Sequence, residues 1–190
     1  MSKSYFRSSG FSPDLILKSA SGQSINAASL PAFLRTLLVM DGTVTKALES
    51  WFWEPVQIIS KSNISAENSL QREVILSGKQ SQQRFACARS DVALSHLPET
   101  IALALQEGKI GIGELLRDKG LETYRDIFAV KLLSKDEVEQ DDLLQQCSQS
   151  SDFIARAYNI EVNAKVAITV TEFFPINLYK PVRKSHKGGS

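Results

Sequence analysis

The sequence predicts an α+β fold, a single antiparallel β-sheet of about six strands with helices packed on it. Three observations predict it. Runs dense in Val, Ile, Thr and Phe follow one another, joined by polar stretches of hairpin length such as "SNISAEN" and "SGKQSQ". Helical patterns are segregated between these runs. The chain of 190 residues, 43% hydrophobic and 23% charged, is long enough for one core and short for two, so a single domain is expected.

In order, residues 1–28 are rich in Ser and Gly with little periodicity and read as a loosely held lead-in to a domain over 29–180. "SLPAFLRTLLVMDG" reads as a helix with Ser29 as N-cap, Pro31 in the first turn and "DG" as its stop. "TVTKALESWF" begins a second helix from a Thr cap. "EPVQIISKS", "SLQREVILSG" and "QQRFACARSDVAL" read as strands. "LPETIALALQEG" is a helix entered at Pro98, and "GIGELLRDKG" a shorter one after the loop "GKIGIG". "LETYRDIFAVKLL" is a further strand, and "FIARAYNIEV" and "KVAITVTEFFP" form a terminal hairpin around "NAK". Between them, residues 134–152 turn abruptly acidic and polar, which predicts a solvated surface insertion with at most one short helix. Residues 181–190 are a basic tail.

Several function classes are disfavoured. A net charge of +1 without a basic block in the domain leaves no footprint for nucleic acid. Two cysteines and two histidines, widely scattered, give no metal-ligand spacing, so no metal and no disulfide are expected. The N-terminus lacks the apolar core of a secretory signal, and "LPAFLRTLLVM" is too short to span a bilayer, so a soluble intracellular protein is expected. Walker, dinucleotide and "GxSxG" motifs are absent.

The informative residues are charges on apolar strand faces. Side chains alternate along a strand, so Glu172 shares a face with Ile168, Val170 and Phe174. A carboxylate there must be paired, neutralised or met by a ligand. By the same parity Arg72 lies with Leu70, Val74 and Leu76, and Arg89 with Phe85 and Cys87. An arginine could simply pair with Glu172, or these faces could meet solvent at the sheet rim. Taken together, two guanidiniums and one carboxylate around an apolar cavity suit a small organic acid with a cyclic or hydrophobic body.

These residues and their order resemble the chorismate pyruvate-lyase family over roughly residues 30–180. The resemblance rests on "LLVMDGTVTKALE", "LQREVIL", "ACARSDV", "GKIGIGELL", "YRDIF", "ARAYNIEV" and "TVTEFFP". It implies helical flaps, "MDGTVTKAL" and "GIGELLRD", over a buried ligand cavity. It also implies cofactor-independent elimination of pyruvate from chorismate to give 4-hydroxybenzoate for quinone biosynthesis. Arg72 and the backbone amide of Ile112 would hold the ring carboxylate, and Glu172 the hydroxyl opposite it. Arg89 would lie on the enolpyruvyl side, and the backbone at Val44 would close over the ligand. The insertion at 134–152 is similar to longer cyanobacterial or plastid-type members. A monomer is expected, in the cytoplasm, or in the plastid stroma if plastid-encoded. Bacterial regulator domains that sense small molecules look similar in fold, so a non-catalytic sensor for small aromatic acids is the alternative.

Overall fold

The computed structural model describes residues 16–19, 24–40, 42–108, 110–121 and 123–180. The lead-in holds two strands, β1 (Ile16–Ser19) and β2 (Ser24–Asn26). They are followed by helices α1 (Ala32–Val39) and α2 (Val44–Phe52). Strands β3 (Val56–Ser65), β4 (Ser69–Gly78) and β5 (Arg84–Ala93) come next, then α3 (Glu99–Gln106) and α4 (Ile112–Asp118). The chain closes with β6 (Tyr124–Leu132), the short helices α5 (Lys135–Glu139) and α6 (Asp142–Cys147), and the hairpin β7 (Phe153–Val162) and β8 (Lys165–Pro175).

All eight strands form one sheet in the order β2-β1-β6-β7-β8-β5-β4-β3. The six strands expected from residues 29–180 are present, and every neighbouring pair among them is antiparallel. Two more come from the lead-in, where the sequence reading placed none; β1 joins β6 in parallel through two residue pairs. Neither is long enough to show the alternation on which that reading relied. Residues 1–15 of the lead-in and the basic tail 181–190 lie outside the described residues. The N-cap of α1 is Pro31 rather than Ser29, which sits in a preceding 3-10 turn. Proline fixes its own φ and has no N–H to satisfy, so the helix begins at the next residue.

One face of the sheet carries two apolar clusters side by side. Under α1 and α2, Leu34, Leu37, Leu38 and Leu48 pack on Leu76, Phe85, Ile154 and Phe174. Under α3 and α4, Ile101, Leu105, Leu115 and Leu116 pack on Leu70, Val92, Ile160 and Ile168. The seam between the clusters is where the site lies.

Part of the other face is covered by the acidic insertion, which corrects its reading as a solvated excursion. It forms two helices, and Val138, Leu143, Leu144 and Cys147 are buried against Ile75, Cys87, Phe153 and Phe173. A capping box starts α5, the Ser134 hydroxyl accepting from the Glu137 amide and the Glu137 carboxylate accepting from the Ser134 amide. Asp141 caps α6 by accepting from the amides of Leu143 and Leu144. The same carboxylate accepts two hydrogen bonds from Arg89, at 2.5 and 2.8 Å. Burial pushes the Asp141 carboxyl up, but Arg89 and the two amides outweigh it and hold it below its ordinary range. A depressed folded-state pKa contributes stability that is complete above the unfolded pKa of about 4 and is lost as pH falls through the lower folded value. Asp141→Asn, which keeps the cap oxygen, is expected to cost about 1 kcal/mol at neutral pH and nothing at low pH. Thermal unfolding of both proteins across the acid range checks the convergence.

Candidate functional site

Strand β4 places Arg72 on the seam, between Leu70 and Val74, where it is 3% exposed. Its Nη2 donates to the Ile110 carbonyl at 3.0 Å, and its buried Nε has no partner. Arg72 has no carboxylate partner among the described residues, and burial lowers its pKa. A buried cation therefore lines the cavity with one of its donors, Nε, unanswered among the described residues.

Two strands away, Glu172 of β8 is 7% exposed on the same face. It is paired, which selects the first of the three options open to a buried carboxylate. Arg156 of β7, directly opposite in the register, donates to Oε2 from Nε at 3.1 Å and from Nη2 at 2.6 Å. Tyr158 donates its hydroxyl to Oε1 at 3.0 Å. Burial, with the adjacent Glu172 charge, pushes the tyrosine pKa far up, so the phenol stays a donor. Arg156 is 1% exposed and uses its remaining nitrogen, Nη1, on the carbonyls of Leu37 and Met40, at 2.5 and 2.9 Å. These carbonyls lie at the C-terminal end of α1, whose last C=O groups have no acceptor role within the helix. One guanidinium thus fastens the carboxylate to the segment leading into the α1–α2 turn.

The cavity between Arg72 and Glu172, counted together with the solvent at its open mouth, holds about 620 Å³ of space free of protein atoms. Its floor includes Val74 and Leu76 of β4, Ala88 and Ser90 of β5, and Val170 of β8. Arg125 of β6 and Tyr158 reach it from the far side. Its roof is built by the two helix starts: Gly42, Thr43, Val44 and Thr45 from α2, and Gly111, Ile112 and Gly113 from α4. Val44 and Ile112 are each the first residue of their helix, so their N–H groups have no intrahelical acceptor. Strand spacing separates the backbones of β4 and β8 by roughly 10 Å, the width of a six-membered ring with a polar group at each end.

The two roof segments touch. A Cβ at Gly113 would lie 3.1 Å from Thr43 Cγ2, closer than ordinary van der Waals contact. Gly113→Val is expected to force the segments apart, weakening ligand binding in the cavity about tenfold at a packing cost of about 1–3 kcal/mol. Calorimetric titration with 4-hydroxybenzoate beside thermal unfolding separates the two effects.

Of the expected site residues, Arg72, Glu172, Ile112 and Val44 meet at this cavity. Arg89 does not, and this corrects its assignment to the enolpyruvyl side. Ala88, not Arg89, lies opposite Glu172 in the β5–β8 register, so Arg89 points through the other face. There it pairs with Glu73 at 2.7 Å and with Asp141, and lies over the Phe173 ring. Phe85, expected beside it, is the extra residue where the β4–β5 register shifts, and it stacks on Phe52 at 3.9 Å between ring centres. Arg125, Arg156 and Tyr158 are the residues missed. The parity test finds Arg156 and Tyr158, since "FIARAYNIEV" sets both among Ile154 and Ile160. Among the described residues no three His, Cys, Asp or Glu side chains are grouped to hold a metal ion. No helix of these residues is long and apolar enough to cross a membrane.

The protein of Methanocaldococcus jannaschii named "Putative lyase MJ0807" is 29% identical over 147 residues, covering 75% of this chain and 77% of that protein. Among solved structures, PhnF from Mycobacterium smegmatis is similar at a TM-score of 0.49 and 14% identity, over 73% of this chain and 66% of that one. The effector domain of PhnF is similar at 0.48 and 14%, over 72% of this chain and 90% of the domain. The chain spans about two thirds of the full PhnF chain. Residues 38–181, which contain all the cavity residues described above, match the family model "Chorismate pyruvate-lyase Rv2949c-like", and the chain belongs to that family.

Proposed function

We propose that this protein is a chorismate pyruvate-lyase, forming 4-hydroxybenzoate and pyruvate without a cofactor. The single observation that carries the reading is the buried, partly unanswered guanidinium of Arg72 facing the Arg156–Glu172–Tyr158 node across an apolar cavity. An aromatic acid with a hydroxyl para to its carboxylate supplies what each end lacks. The ring carboxylate meets the Arg72 fork and the Ile112 amide. The para oxygen meets Glu172, which Arg156 and Tyr158 hold in place.

In the reaction the C–O bond to the enolpyruvyl group breaks, its electron pair leaving with the enolate, and the ring loses the proton from the carbon bearing the hydroxyl. The enolate is then protonated to pyruvate. Aromatisation supplies the driving force, so the protein's work is to orient the dianion and to manage charge and proton near the breaking bond. Glu172 is the group placed for the proton, and the backbone at Val44 closes the roof over the reacting end. A product of this kind suits the start of quinone biosynthesis.

The test is purified protein with chorismate, without added metal or cofactor, followed by chromatography of both products. Equal amounts of 4-hydroxybenzoate and pyruvate above the spontaneous rate are expected. Tight calorimetric binding of 4-hydroxybenzoate with no turnover would replace the lyase by a sensor.

A further inference from the structure

Edge strand β3 is irregular between Ser60 and Ser62, where Lys61 is an extra residue against β4. Ser60 pairs with Val74 of the cavity wall, and after the shift it is Asn63 that pairs with Arg72. A regular strand would turn residue 63 to the face opposite residue 60, so the bulge is what brings the Asn63 side chain to the side of the sheet that holds Arg72. There its Nδ2 donates at 2.5 Å to the carbonyl of Gln106, the last residue of α3, a position that helix geometry leaves without an intrahelical donor. It packs against Gly108, where a Cβ would lie 3.3 Å from Nδ2 and a φ of +72° favours glycine. Arg72 holds the far end of the same loop by donating to the Ile110 carbonyl at 3.0 Å. Two side chains paired across β3 and β4 thus fasten the loop that leads from α3 into the roof helix α4. Each has one buried polar atom with no partner among the described residues: Asn63 Oδ1, an acceptor, and Arg72 Nε, a donor. Directly paired residues of neighbouring antiparallel strands have Cβ atoms about 4.5–5.5 Å apart, so the two atoms belong to side chains within reach of each other.

We infer that Asn63 is a positioning residue for Arg72, its Oδ1 accepting from Nε when the guanidinium closes on a ligand carboxylate. The inference rests on the proposed reading of Arg72 as the carboxylate-binding group and adds what orients it. A guanidinium presents its donors in one plane, so a hydrogen bond at Nε fixes the plane in which the Nη groups meet a carboxylate. Asn63 stands outside the cavity lining, so its effect reaches the ligand through Arg72. A neutral carboxamide suits this place. It accepts from Nε without cancelling the charge, whereas a carboxylate there would pair with Arg72 permanently and compete with the ligand.

The experiment titrates 4-hydroxybenzoate and the neutral 4-hydroxybenzamide by calorimetry into the wild type, Asn63→Ala and Asn63→Asp at neutral pH. Both variants lose the donor to Gln106, so they differ in the charge placed beside Arg72. Asn63→Ala should weaken the benzoate about tenfold and Asn63→Asp about a hundredfold, while each weakens the benzamide less than about threefold. A role confined to the loop would weaken both probes alike; that result, or no weakening of the benzoate, overturns the inference. Nitrogen–proton NMR of the arginine Nε–H groups reads the contact in the wild type itself, so the inference can fail even where a variant does not fold. Saturating 4-hydroxybenzoate should move the Arg72 signal, identified by its absence from Arg72→Met, and the shift should vanish in Asn63→Ala. An unmoved signal in the wild type, or a shift that persists in Asn63→Ala, overturns the inference. The expected losses and shift in a protein that does not turn over chorismate sink the lyase reading and leave Asn63 its role, and turnover with equal losses on both probes does the reverse. Binding of neither probe by the wild type overturns both.

Discussion

Replacing Arg72 by Met is expected to abolish tight binding of 4-hydroxybenzoate while making the empty protein more stable. Both effects follow from the same unanswered charge. In the folded chain the guanidinium is buried, has one carbonyl acceptor, and keeps Nε without a partner. No carboxylate among the described residues offsets its desolvation, so an apolar side chain of similar length should be neutral or stabilising by about 1–4 kcal/mol. A ligand carboxylate reverses the balance by accepting two charge-assisted hydrogen bonds, each worth about 1.5–3 kcal/mol. Their loss corresponds to about a hundredfold or more in affinity. Arg72→Lys keeps the charge but not the fork and should fall between the two. Thermal unfolding with and without ligand reads both at once: a ligand at 100 times its Kd raises wild-type stability by about 2.7 kcal/mol, and the Met variant should show no such shift from a higher starting point. A variant that lost stability and kept its affinity would remove the carboxylate assignment.

Alternation made much of this fold legible, and the site half legible. Strand β4 runs from Ser69 to Gly78, the limits that "SLQREVILSG" suggests, because a period of two bounded by Gly is hard to read otherwise. The same period set Arg72 and Glu172 among apolar neighbours, where both are found. Alternation gives two faces without saying which face of one strand continues which face of the next. That depends on register, and register depends on turns and on the extra residue at Phe85. Arg89 was misplaced for this reason, although Glu73, one residue from Arg72 and directly across from Arg89, offered an opposite charge on the far face. Arg156 is legible by the same alternation, since it shares a face of β7 with Ile154, Tyr158 and Ile160.

The insertion shows the limit of composition. Its acidic residues conceal Val138, Leu143, Leu144 and Cys147, four apolar side chains on two short helices. Their burial covers part of the sheet face opposite the cavity, and Arg89 fastens them there through Asp141. The arginine expected at the cavity instead ties on the layer that packs behind its floor. Function on one face and packing on the other thus use adjacent rows of β5, whose Ala88 and Ser90 face the cavity while Cys87 and Arg89 face the insertion.

The second large effect is expected at Arg156. Replacing it by Met should destabilise the protein by about 3–5 kcal/mol, because it leaves the Glu172 carboxylate buried beside Tyr158 without its counter-charge. It also withdraws the donor from the Leu37 and Met40 carbonyls, at a further cost of about 1–3 kcal/mol if they stay out of water. The two losses can be told apart. Adding Glu172→Met removes the orphaned carboxylate but not the orphaned carbonyls, so the double variant should recover most of the first and none of the second. A double-mutant cycle should therefore show strong coupling between the two positions. Under the proposed lyase reading activity should follow a different course: Arg156→Met, which no longer holds Glu172 in place, and the double variant, which lacks it, should both lose turnover. Arg156→Lys, which can still meet one Glu172 oxygen, should keep more stability than Arg156→Met but should fail to hold the α1–α2 turn, raising KM more than it lowers kcat. If the single losses simply added, Arg156 and Glu172 would be independent residues that happen to touch, and the node could not be what positions the carboxylate over the ring.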